Sequence, residues 1–144
     1  MSTNPNFDPQ TGAVTFRDPA VTLGPTLTRD AFLASNLGRD AKDLIITPPW
    51  QTWRAAPECR ADRAFRLVVC FHAQALHHLE LSDTQPPVGD GWDNWSEADE
   101  QQRKAHHDRW LDEHVGPQRE YDWGRVDSFY DERAGYSFIR FAYG

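Results

Sequence analysis

Apolar and polar side chains alternate most regularly around residues 65–71, where Phe65, Leu67, Val69 and Phe71 share one face and Arg66, Val68, Cys70 and His72 the other. This predicts a strand near the centre of a sheet. Residues 75–81 return beside it across a short turn, and residues 82–91, with Pro86, Pro87 and two Gly, read as a polar loop. The last twenty-four residues show a second such pattern. Residues 121–130 run out, residues 131–135 turn, and residues 136–143 return as a hairpin. Tyr121, Trp123 and Phe129 are expected on one face of the outgoing strand, with Ile139, Phe141 and Tyr143 on one face of its partner. Gly124 permits close approach of a neighbouring chain, because it lacks a Cβ.

Between these hairpins the period changes. Ser96-Glu-Ala-Asp99 reads as a helix start with acidic groups against the helix dipole, and Gly116-Pro117 as the stop, which predicts a helix from about residue 97 to 115. Its apolar stripe is thin: Trp110, Leu111 and Val115 lie near its end, while Gln101, Gln102, Arg103 and Lys104 are polar, so its C-terminal end is expected to pack and its start to be solvated. Upstream, turn chemistry at residues 8–12 precedes a small hairpin over residues 13–16 and 21–23, and Thr28 caps a short helix that ends before Gly38. Residues 44–46 form a brief strand halted by Pro48-Pro49, and Trp50 and Trp53 bracket an extended or edge segment. With no regular strand-helix-strand alternation, repeat or linker, the fold class expected over residues 1–144 is a single α+β domain. In it, an antiparallel β-sheet of hairpins carries one short and one long helix on one face.

Composition limits the function classes. The chain of 144 residues can bury one core, and six Trp within a 12% aromatic content offset a 39% hydrophobic content that is low for a globular protein. A formal charge of −7 disfavours nucleic-acid phosphates and anionic membranes and suits a basic partner. The N-terminus has neither a basic start nor an apolar run, and no stretch has the roughly 20 apolar residues a membrane span needs, so a cytoplasmic location is expected. Cys59 and Cys70 have no zinc-type spacing and are expected to be reduced thiols.

Histidine is the main lead toward catalysis. Neighbours on a strand point to opposite faces, so His77 and His78 cannot both face one metal without a bulge, and His106 and His107 lie about 100° apart on a helix. His72, His78 and Glu80 are the set a small metal-dependent hydrolase would use, but neither an H-E-x-x-H order nor a G-x-S-x-G or phosphate-loop signature is present. The reading favoured is therefore non-enzymatic, with no cofactor and no metal. The approach to the long helix instead combines aromatic and acidic groups: Asp90, Trp92, Asp93, Glu97, Asp99 and Glu100 are the expected partner-binding residues, with Trp95 beside them. Aromatic anchors ringed by charge suit protein recognition.

Beyond these residues, the chain carries Phe7-Asp8, Thr11-Gly12, Thr28, Phe32-Leu33, Pro49-Trp50, Trp92, Trp95-Ser96, Glu100, Arg103-Lys104 and Trp110-Leu111 in order. Tyr121, Trp123-Gly124, Val126, Ser128, Tyr130-Asp131, Gly135, Ser137 and Ile139 follow. In this pattern the chain resembles small immunity proteins, the cytoplasmic antidotes encoded beside bacterial polymorphic or type VI secreted toxins. The resemblance implies tight binding to a cognate effector toxin domain, occlusion of its active site, and no catalysis. It transfers no functional residue by motif, because such proteins vary at their contact surface. The partner expected is a toxin domain with a basic surface, and a homodimer is compatible with the sequence. The competing readings are the hydrolase and a ligand-binding module with an aromatic cleft.

Overall fold

The computed structural model describes residues 6–17, 20–56, 58–60, 63–85 and 95–144. The elements run β1 (Asn6–Phe7), β2 (Val14–Arg17), β3 (Ala20–Leu23), α1 (Arg29–Ala34), β4 (Lys42–Thr47), β5 (Trp50–Arg54), β6 (Cys59–Arg60), β7 (Ala64–His72) and β8 (Ala75–Asp83). They continue with α2 (Glu97–His114), β9 (Glu120–Tyr121), β10 (Gly124–Asp131) and β11 (Tyr136–Tyr143). The fold is α+β, and every strand pairing is antiparallel. A small sheet has the order β1-β2-β3. A large one has the order β4-β5-β7-β8-β11-β10-β9, with β6 on β7. No described helix is long and apolar enough to cross a membrane.

The alternation in β7 divides the large sheet into two unlike faces. Phe65, Leu67, Val69 and Phe71 are fully buried, and the register extends that face through Leu79 and Leu81 to Ile139, Phe141 and Val126. Removing such side chains from water stabilises a fold by about 1.5–3 kcal/mol each before the entropy of ordering is subtracted. The small sheet closes on this inner face through Val14, Phe16 and Leu23, and α1 adds Phe32, whose ring lies 5.7 Å from that of Phe71. Thr28 caps α1 by accepting from the Ala31 amide, and Ser96 caps α2 by accepting from the Asp99 amide, as their sequence positions predict. Gly116, at φ 95°, ends α2 by donating back to the Leu111 carbonyl at 2.9 Å.

Three expectations need correction. The segment from Trp50 to Trp53 is extended, as one of the two alternatives had it, but it is not an edge, because β5 sits between β4 and β7 and β4 is the edge strand. Phe129 does not share a face with Tyr121 and Trp123: a turn at residues 122–123 separates β9 from β10, and the alternation restarts at Gly124. Tyr121 and Trp123 stack at 4.9 Å and meet Phe7, whereas Phe129 faces outward against Phe138. Gly124 has φ 149°, and a Cβ there would lie 1.8 Å from the Ala142 carbonyl oxygen, so the backbone approach expected of it is present.

The third correction concerns the start of α2, which is packed rather than solvated. Glu100, Arg103 and His107 are buried about three, two and one turns ahead of Trp110 and Leu111. Their i, i+3, i+7 spacing continues the buried stripe with polar groups. They stay inside because each meets a partner. Glu100 accepts from the Ser137 amide at 2.9 Å and from Arg103 Nε at 3.2 Å, and His107 Nε2 accepts from the Asp83 amide at 2.9 Å. Burial holds the His107 imidazole down to about 4, with Arg103 and His106 acting in the same sense and Asp83 and Asp108 against it.

Candidate functional site

The outer face of the large sheet carries neither helix, because both helices and the small sheet pack on the inner face. Its residues alternate with those of the inner face: Arg66, Val68 and Cys70 on β7, His78, Glu80 and Ser82 on β8, and Tyr136, Phe138 and Arg140 on β11, of which Cys70, Glu80 and Phe138 are themselves buried by their neighbours. Arg140 lies over the Phe129 and Phe138 rings at 5.7 and 5.2 Å, and it donates to Glu80 Oε2 at 2.6 Å. Tyr136 donates to the other Glu80 oxygen at 3.4 Å, and burial together with the Glu80 charge pushes its phenol up to about 12.

A cavity of about 270 Å³ opens on this face. Val68 forms its floor, and Phe138, Tyr136 and Trp95 form one wall. Leu44 reaches it from the irregularity between Asp43 and Ile45 in β4. Trp95 is fixed there by an indole N–H bond to the Gly135 carbonyl at 2.6 Å, which ties the approach to α2 onto the β10–β11 turn. The polar lining comprises Arg54, Arg66 and Arg103 with Glu80, Glu100 and Ser82. The sequence reading missed Arg54, Arg66, Tyr136 and Phe138. They lie on three strands, β5, β7 and β11, and only the register brings them together.

Of the expected partner-binding residues, Asp90, Trp92 and Asp93 lie outside the described residues. Glu97 is exposed and Asp99 half-buried on the first turn of α2. Glu100 is 4% exposed and is removed from the contact surface, since its carboxylate serves Arg103 and Ser137. Beside it, Tyr130 at the end of β10 and Glu132 in the β10–β11 turn lie near Glu97, and burial together with the Glu97, Glu132 and Glu100 charges raises the Tyr130 phenol. The acidic, aromatic rim is therefore built from two segments.

The histidines take a different arrangement from the one the hydrolase reading needs. The register shifts between Cys70 and Phe71, so Cys70 faces His78, Phe71 faces Leu76, and His77 is the extra residue of a bulge. The bulge brings His77 Nδ1 to 2.8 Å from His78 Nδ1, and the Trp50 ring packs edge-on against both His72 and His77. Burial, reinforced by Arg140 and His77, lowers His78 to about 4. Glu80 is held by Arg140 and Tyr136. Among the described residues no three His, Cys, Asp or Glu side chains converge as a metal would require. The other polar centre, where Asp83 binds Arg63 and lies 3.7 Å from His106, is closed around the end of β8 and joins it to α2.

These features comprise an uncovered sheet face with a half-open cavity, an acidic aromatic rim, and histidines engaged with aromatic rings or one another. Comparison with known proteins assigns none of them, since no protein family, no curated protein and no solved structure matches the chain.

Proposed function

We propose that the chain acts by binding and occluding a partner protein, the cognate effector toxin domain that its resemblance to immunity proteins implies, without chemistry of its own. The observation that carries this reading is the uncovered outer face. Of the large apolar side chains left exposed among the described residues, Leu44, Ile45 and Trp50 on β4 and β5 and Trp95, Phe129 and Tyr136 across the cavity belong to this face, while the register turns Ile46 to the other. Gathered exposed apolar side chains of this kind, rimmed by charge, mark interaction surfaces. Glu97, Asp99 and Glu132 supply a negative rim that suits a basic toxin surface, with Asp90, Trp92 and Asp93 in the adjoining segment.

The test is coexpression with the product of the neighbouring gene. The expected result is a stable copurified complex and protection of bacteria from that product. Trp95→Ala and Glu97→Lys, both on the exposed rim, should each weaken the complex at least tenfold while the fold is retained, as checked by circular dichroism. A chain that binds no neighbouring gene product and protects against none would overturn the proposal.

A further inference from the structure

We infer that the outer-face cavity is a binding site for a small amphipathic carboxylate, one acid group on a medium-length aliphatic or single-ring tail. The charge distribution points there. The chain is acidic overall, at −7, yet the cavity lining holds three arginines against two carboxylates. Both carboxylates are already engaged: Glu80 by Arg140 and Tyr136, Glu100 by Arg103 and Ser137. Arg54 and Arg66 are different. Each is exposed, and neither side chain makes a hydrogen bond or ion pair among the described residues.

The register sets these two arginines for a shared ligand. Arg54 pairs with Val68 across β5 and β7, and Arg66 precedes Val68 by two residues on the same face. They are diagonal neighbours, about 7–8 Å apart at the backbone, a spacing that long side chains span. Two guanidinium forks can then address one carboxylate, with the planar donor geometry that favours this group. Val68, Leu44, Phe138 and the Trp95 indole supply the apolar part of the lining, where a tail would lie. Its 270 Å³ falls just under the usual lower bound of about 300 Å³ for ligand pockets, which limits the tail to a short chain or one ring.

The inference does not depend on the toxin-binding proposal, and the experiment uses the isolated chain. Octanoate is titrated by calorimetry, with octanamide and octylamine as neutral and cationic probes. Octanoate should bind with a dissociation constant on the order of 0.1 mM, as expected for about ten non-hydrogen atoms. Octanamide should bind at least tenfold more weakly and octylamine not at all. Arg54→Gln and Arg66→Gln should each weaken octanoate about tenfold without changing the thermal midpoint, because both side chains are exposed. Val68→Trp, which fills the floor, should abolish binding of every probe. Octanoate binding no tighter than octanamide, affinity unchanged in both arginine variants, or no binding up to about 10 mM, a hundredfold above the expected constant, would each overturn the inference.

Discussion

His107 makes the stability of this fold sensitive to mild acid, by an amount the structure sets. Its ring is fully buried between α2 and the end of β8, and its Nε2 accepts the Asp83 amide proton, so the native state holds the neutral imidazole. The unfolded chain protonates this group below about 6.5, whereas the native one resists down to about 4. The native value is the lower one, so the contribution is complete above 6.5 and is lost as the pH falls from 6.5 to 4. At about 1.4 kcal/mol per pH unit this comes to roughly 3 kcal/mol, a large share of the 5–15 kcal/mol typical of a domain. The assay is urea unfolding at intervals from pH 7.5 to 4, comparing the native chain with His107→Gln. The Gln carbonyl takes over the acceptor role but cannot titrate. His78, also held near 4, titrates in both proteins and cancels in the difference. The variant should lose stability less steeply, the two curves converging by about 3 kcal/mol over the window. Parallel curves would refute the assignment of a buried neutral imidazole at this position.

Two further outcomes follow from the packing. Glu100→Ala should destabilise the chain by about 3–5 kcal/mol in chemical denaturation, because it strips the buried Arg103 of its carboxylate and the Ser137 amide of its acceptor. Leu in place of both Glu100 and Arg103 should recover much of that loss. Gly124→Ala should lower the thermal midpoint well beyond an ordinary surface substitution, since the new Cβ meets the Ala142 carbonyl oxygen at a φ that side chains avoid.

The sequence disclosed the elements whose side chains carry one meaning. In β7 the period of two separates Phe65, Leu67, Val69 and Phe71 from Arg66 and His72, and the strand follows directly from it. Thr28, Ser96 and Gly116 each act where their own chemistry places them. The start of α2 was hidden for the converse reason. Glu100, Arg103 and His107 occupy core positions, but each is polar, and what makes them core residues is a partner on another strand: Ser137, the Asp83 carbonyl and the Asp83 amide. Local pattern cannot register hydrogen bonds made across 20 to 37 residues.

The same limit governs the candidate site. The rule that His77 and His78 must diverge holds for a regular strand, and a one-residue register shift against β7 sets it aside, bringing the two rings into contact. Arg54 and Arg66 are unremarkable charges on alternating strands until pairing across Val68 makes them neighbours, and the wall they face comes from Trp95 and Phe138 much later in the chain. An uncovered sheet face is therefore where the sequence is least explicit and its chemistry densest. The inner face is specified by apolar identity alone, while the outer face depends on which polar residue lies opposite which. That dependence makes arginine variants at positions 54 and 66 more diagnostic than any change in the core. They alter the chemistry of the outer face and leave the apolar pattern that determines the fold untouched.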